Sequence, residues 1–264
     1  AFTGENVRIL LNSASGTHPD GLGNGSGTLG RYLMTHPSVY IFGMFEDETE
    51  PYRGVTGGQL HNRDRMIKDE HTLPGAFGAR HWEIGQALKP NDLLGIAMGR
   101  AEIFGPELTA FMREAAQHVA VMASVAEDMP LYDNRPELAP KKDRFGLALV
   151  QSVYETSPEG VALYEESLEE GARIMKAAGA KDTWHGPMGG QHIMGGTIMG
   201  DEPAASVTDR WSRLHEVPNV MIGGPSVFST ASSVNSTFTL QALAYMAADA
   251  AVRDWDDITR GKSA

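Results

Sequence analysis

Gln191-His192-Ile193-Met194-Gly195-Gly196-Thr197-Ile198-Met199-Gly200 is the stretch that decides how this chain is read. It is followed by Gly223-Gly224-Pro225-Ser226 and then by Ser233-Val234-Asn235-Ser236-Thr237. One histidine and one asparagine thus stand in two turns, and the second turn opens a helix. An imidazole titrates near neutrality and can take a hydroxyl proton, and an amide N–H can hold the oxygen left behind. That pairing suits removal of hydride from an alcohol.

Working outward, composition narrows the field. The 264 residues are 41% hydrophobic, enough for one large core or two smaller ones. A formal net charge of −12 argues against nucleic acid or an anionic membrane as partner. No apolar run approaches the length of a membrane span. Ala1-Phe2-Thr3-Gly4 lacks the charged and apolar regions of a signal peptide. The reading is of a soluble protein whose compartment, cytoplasmic or periplasmic, stays unknown. The absence of cysteine excludes disulfides and thiolate metal sites within the sequence.

Periodicity and punctuation predict a helix over 4–15, a Gly/Ser/Asn loop over 16–30 and a strand over 38–45. Residues 46–103 read as irregular. A helix is expected over 106–117 and a strand over 118–126, with a turn at 133–136 and another strand over 147–154. Ser157-Pro158-Glu159 supplies a cap, a proline at the first helical position and early acid. The helix it opens stops at Gly179. Val220-Met221-Ile222 reads as a short buried strand. Residues 236–252, rich in Ala, Leu and Met, read as a helix buried on more than one side.

Gly25-Ser26-Gly27-Thr28-Leu29-Gly30 matches G-x-G-x-x-G but not its required setting. No strand precedes it, and Pro37 leaves too little room for a helix after it. It reads as a flexible surface or lid loop.

The ordered motifs His-x-x-Gly-x-Thr-x-Met-Gly (192–200), Ser-Val-Thr-Asp (206–209), Leu-His-Glu-Val-Pro-Asn-Val (214–220), Ser-Val-Phe-Ser-Thr (226–230) and Asn-Ser-Thr-Phe-Thr-Leu-Gln-Ala-Leu-Ala (235–244) are similar to the C-terminal signature of the glucose–methanol–choline (GMC) flavin oxidoreductases. Bacterial sugar and sugar-acid dehydrogenases and pyranose-oxidase-like members resemble it best. Glu5 to Leu11 and Gly30-Arg31-Tyr32-Leu33-Met34-Thr35-His36-Pro37 resemble the family's elements near the flavin. About half of the chain is covered by the resemblance. There are two departures. Gly224 stands where the family often has an acidic residue, and Ser229 stands where proline is usual.

The resemblance implies FAD as cofactor. His192 becomes the base that takes the hydroxyl proton while hydride goes to flavin N5, and Asn235 becomes the donor that orients the substrate oxygen. It also implies cofactor contacts at Ala1, Gly223, Gly224, Pro225, Ser236 and Thr237. All of these but Ala1 have a plainer alternative: a packed histidine in a glycine turn, an N-cap at Asn235, a tight turn at 223–225 and an ordinary helix start at 236–237. His215 reads as structural. Arg63, Arg80 and Trp82 read as packing or solvated residues before sugar ligands. No metal is implied.

The expected architecture is α/β, with two intermixed parts and an α+β substrate part. Residues 1–37 and 200–256 would complete a flavin-binding domain, 38–199 would form the substrate-binding domain, and 257–264 a tail. The family's N-terminal flavin fingerprint is not found, so that Rossmann half is expected either on a separate partner polypeptide or on a preceding part of the same protein. The expected activity is FAD-dependent oxidation of a sugar or other alcohol, with electrons passed to an acceptor that can be a protein. The alternative is a non-catalytic glycan-binding or structural subunit that keeps the fold.

Overall fold

A computed structural model describes residues 2–55, 60–66, 77–85, 87–97 and 99–261. Its elements in chain order are α1 (Thr3–Asn12), β1 (Met34–Met44), β2 (Leu60–Asn62), β3 (Arg80–Ile84), α2 (Pro90–Ala97), α3 (Pro106–His118), β4 (Val119–Ala126), β5 (Arg135–Lys142), β6 (Ala148–Val153), α4 (Pro158–Ala177), β7 (Asp182–His185), β8 (Gly189–Met194), α5 (Thr237–Arg253) and α6 (Trp255–Thr259). Ala1 lies outside the described residues.

Six strands make one antiparallel sheet in the order β2-β3-β4-β1-β7, with β8 also paired to β1. β1 pairs with β4 along one edge. Along its other edge, Ile41–Met44 pair with β7 and Met34–Ser38 with β8. β1 and β4 are apolar on both sides because both sheet faces are covered. Val39, Ile41, Trp82 and Met122 pack against Met175 of α4 on one face. Phe42, Met44, Val119 and Val121 pack against α2 and α3 through Leu93, Ile96 and Phe111 on the other.

α4 lies close on its face of the sheet. An added Cβ at Gly171 would stand 2.6 Å from Ile41 Cγ1 and 2.9 Å from Trp82 Cη2, so only glycine permits that approach. The helix begins as its sequence dictates. Ser157 caps it by accepting from the Gly160 N–H at 3.0 Å, and Pro158 follows. Arg80 and Trp82 are buried beneath it, and both bond Glu170. They are packing residues.

The remainder is a second small sheet, β5–β6, and an irregular segment over 196–230. Leu10 of α1 and Leu29 anchor that segment through Val207, Leu214, Ile222 and Val227.

Three expectations change. Residues 46–103 hold β2, β3 and α2, whose shortness hides their periodicity. Val220–Ile222 is not a strand: Met221 makes one isolated bridge to Arg213, and only Ile222 is buried. The third is α5, which is not buried on several sides. Ala250 is its one buried residue, while Phe238, Val252 and Tyr245 are 86%, 80% and 75% exposed. An apolar composition says that a helix suits a covered site, not that these residues cover it.

Candidate active site

His192 sits near the end of β8. On β1 the step from Met34 to His36 spans two residues, but the paired step from Met194 to Gln191 spans three. The extra residue is a bulge, which bends the strand and re-aims a side chain. His192 takes it up with φ +53°, in the left-handed region that a histidine enters at a cost of about 1–3 kcal/mol. The turn after it is clasped on both sides. Gly195 N–H donates to Pro225 O at 3.2 Å, Gly196 N–H to Arg31 O at 3.1 Å, and Gly30 N–H to Gly196 O at 2.7 Å. The G-x-G-x-x-G segment thus ends in a buttress for the His192 turn and leads into β1, not into a helix.

Asn235 comes to the same place from the other side. Its Nδ2 lies 3.5 Å from His192 Nε2, at the outer limit of a hydrogen bond. The N-cap of α5 is Ser236, with no side-chain cap bond, so Asn235 stands one residue outside the cap position. Its side chain is turned to His192 and Glu83, which does not fit the plain capping alternative.

The structure adds three residues that sequence reasoning passed over. His36 is fully buried; its Nδ1 is 2.9 Å from His192 Nδ1 and its Nε2 is 3.1 Å from Ala231 O. His81, also buried, bonds the Ser233 carbonyl through Nδ1, with Nε2 3.4 Å from Glu83 Oε1. Alternation along β3 puts His81 and Glu83 on one face. The His-x-Glu spacing was therefore a readable signal. His36 was visible only as part of a motif, and its contact depends on the bulged β1–β8 pairing.

Burial holds His192 below its ordinary value, against the Glu83 carboxylate, which raises it. Burial pushes His36 down to about 4, opposed by its bond to the Ala231 carbonyl. The His81 hydrogen bond, helped by Asn235, keeps Glu83 below the usual carboxylate range. The result is an imidazole held toward its neutral form, an amide donor and a carboxylate held toward its anionic form within a small space.

His61, His81 and Glu83 bring their ligand atoms within 4.8 Å of one another, alone among the described residues in having donor types and proximity suited to a metal ion. His81 and Glu83 are already occupied with Ser233, each other and Asn235, so we assign them to the polar wall of the site. His215 is structural, bonded to Ser206 Oγ at 2.9 Å and Gly200 O at 3.1 Å.

Of the expected cofactor positions, Pro225 accepts from the Gly195 N–H of the His192 turn, and Ser236 and Thr237 follow Asn235 directly. Gly223 is exposed, and a Cβ added there would meet nothing within 4 Å. Gly224 has φ +116°, and Pro225 opens a 3₁₀ turn over Pro225–Val227. Gly223 and Gly224 line a groove with Leu240, Leu243 and Ala244 of α5. Ser236 and Thr237 open that helix, whose first N–H groups have no intrahelical partner. Open glycine backbone and a helix N-terminus are features that accommodate the anionic parts of a flavin.

Residues 112–244 match the GMC oxidoreductase family, in its C-terminal domain. Over 258 residues the chain is 30% identical to a 2-methyl-1,2-propanediol dehydrogenase of Mycolicibacterium austroafricanum, covering 95% of this chain and 46% of that protein. It is 29% identical over 259 residues to the fructose dehydrogenase large subunit of Gluconobacter japonicus, with the same shares. Among solved structures, a formate oxidase of Aspergillus oryzae superposes with a TM-score of 0.58 at 13% identity, over 96% of this chain and 53% of that one. The chain spans less than half the length of these curated relatives. Its mixed α/β fold is that of the family's C-terminal substrate part. This chain belongs to the GMC oxidoreductases, a family that uses FAD and acts on CH–OH donors.

Proposed function

We propose that this chain furnishes the substrate site and the proton-handling residues of an FAD-dependent enzyme that oxidises a sugar or other alcohol. The polypeptide that carries the rest of the flavin-binding part lies outside these residues. Supporting this are the 46% coverage of the relatives and the exposed apolar face of α5. A fructose dehydrogenase and a diol dehydrogenase among the relatives favour a polyhydroxy substrate. On these two dehydrogenases we take the electrons to pass to an acceptor, which can be a protein, although oxidases stand among the relatives as well.

The observation that carries the reading is the convergence of His192 and Asn235, 43 residues apart, at 3.5 Å. His192 Nε2 takes the hydroxyl proton of the substrate, and Asn235 Nδ2–H donates to the same oxygen as its charge develops. Glu83 is placed to accept from a neighbouring hydroxyl and to stabilise the proton held by His192. The flavin, when bound, supplies the acceptor for hydride. Gly223, Gly224 and Pro225, with Ser236 and Thr237 at the α5 N-terminus, are the residues that would hold it. Ala1 keeps its place in the proposal by resemblance alone.

Anaerobic reduction of the flavin-loaded enzyme by a panel of sugars and polyols tests this. His192→Ala is expected to slow reduction by at least roughly a hundredfold with flavin retained. Unchanged reduction would remove His192 from the chemistry. A protein that binds glycans but never reduces flavin would be the non-catalytic subunit instead.

A further inference from the structure

We propose that His36 is a positioning residue that fixes the His192 ring with its proton on Nδ1 and its lone pair on Nε2. The inference rests on His192 being the base.

Hydrogen-bond direction carries it. The Ala231 carbonyl can only accept, so His36 Nε2, 3.1 Å away, must carry the hydrogen. His36 is fully buried and holds no second proton at neutral pH, because burial pushes it down to about 4. Its Nδ1 is therefore bare and can only accept. His192 Nδ1 lies 2.9 Å from it and must donate. The proton of neutral His192 is thereby committed to Nδ1, and Nε2 is left open. Asn235 agrees from the far side: it presents its amide nitrogen, a donor, to that Nε2.

The chain of bonds runs from the Ala231 carbonyl through His36 and His192 to the substrate site. It does what a carboxylate does for a base histidine in other enzymes, with a neutral acceptor in place of an anion. When the substrate O–H bond breaks and an Nε2–H bond forms, the proton on Nδ1 stays where it is. Its bond to His36 becomes charge-assisted and stronger, which favours the protonated base. His36 also ties two segments together, since Ala231 opens the loop that delivers Asn235 while His192 belongs to β8. The groups that face His192 are His36, His81, Glu83 and Asn235. None of the other three contacts Nδ1 among the described hydrogen bonds.

The test uses the flavin-loaded enzyme containing this chain, with selective ¹⁵N-histidine labelling. The His192 signals are assigned by their loss in His192→Gln. Wild type is expected to show a protonated Nδ1 and a bare Nε2. His36→Leu keeps bulk without an acceptor, and His36→Asn offers an amide oxygen in place of Nδ1. Leu is expected to bring in the Nε2–H tautomer and to slow flavin reduction roughly 10- to 100-fold at neutral pH. Its KM should change by less than about threefold, since the loss is in the reacting complex. Asn should keep the Nδ1–H tautomer and most of the rate. A wild-type His192 with a protonated Nε2 and bare Nδ1 overturns the proposal. So do equal losses in Leu and Asn with an unchanged tautomer. If His36→Leu does not fold, the wild-type and Asn spectra still decide. Full activity in His192→Ala would instead remove the base reading on which the proposal stands.

Discussion

Gly195→Ala should damage the fold more than a single methyl group suggests. The native φ at Gly195 is +81°, which costs an L-residue about 1–2 kcal/mol. The larger problem is the backbone ahead of it. The new Cβ would stand 2.0 Å from the carbonyl oxygen of Tyr32 and 2.9 Å from its carbonyl carbon. Neither atom can swing away as a side-chain tip could. Relief requires the 31–32 turn and the 195–196 turn to separate by more than an ångström. That loses Gly196 N–H to Arg31 O and Gly30 N–H to Gly196 O, each worth about 0.5–1.5 kcal/mol. The expected cost is about 2–5 kcal/mol in total. In a chain of this size each kcal/mol lowers Tm by about 2–4 °C, so thermal unfolding should fall by about 4–20 °C. Gly27→Ala is the control. It has φ +73° but no neighbour within 4 Å, so it should show the torsional cost alone, about 1–2 kcal/mol. If the two variants melt within about 1 °C of each other, the clasp does not hold the His192 turn and the steric argument fails.

Other outcomes follow from the same geometry. His36 titrates at about 4 in the fold and 6.5 when free, so its stabilisation is complete above pH 6.5 and is lost as pH falls toward 4. The loss is about 3 kcal/mol, and urea unfolding of His36→Asn should show a correspondingly flatter acid slope than wild type. Asn235→Asp removes the amide donor and puts a second carboxylate by Glu83. Stopped-flow flavin reduction should slow by the equivalent of about 3–4 kcal/mol with Tm nearly unchanged, and Asn235→His should keep more activity. Small parallel losses in rate and Tm would restore Asn235 to a capping role. Arg80→Met takes the buried cation from Glu166 and leaves Glu170 bonded to Arg65 and Trp82, and should cost about 1–3 kcal/mol in urea unfolding. Adding Glu166→Met should recover part of that loss, and no recovery would mean that Arg80 and Glu166 are not coupled.

Legibility in the sequence tracked how local each signal is. α4 announced itself through Ser157, Pro158 and Glu159, because caps act within one turn. β4 was readable because its apolar run is long enough to outweigh its neighbours. β3 was not, since five residues among Gly, Pro and His carry no period. Its His81 and Glu83 reach the site only through pairing with β4, which no local pattern reports. His36 was the hardest to see. Its role depends on a partner 156 residues away and on a bulge that turns His192 toward it. The exposure of α5 was hidden for a different reason. Composition records what a segment is suited to touch, and only coordinates record what is there to be touched.

The placement of β1 also sets the order of events at the ribosome. This strand leaves the ribosome first among those of the sheet, yet it must pair with β4, β7 and β8, all made later. About 150 residues separate its end at Met44 from the end of β8 at Met194. At ordinary elongation rates that is a wait of roughly 8–30 s. During it, Val39-Tyr40-Ile41-Phe42 is a β-prone apolar segment with unpaired edges, the kind that seeks other chains. Pro37, two residues upstream, has no N–H to offer an intruding strand and guards one end of the segment. Yield in expression should therefore depend more on chaperone capacity and synthesis rate than on the stability of the finished fold.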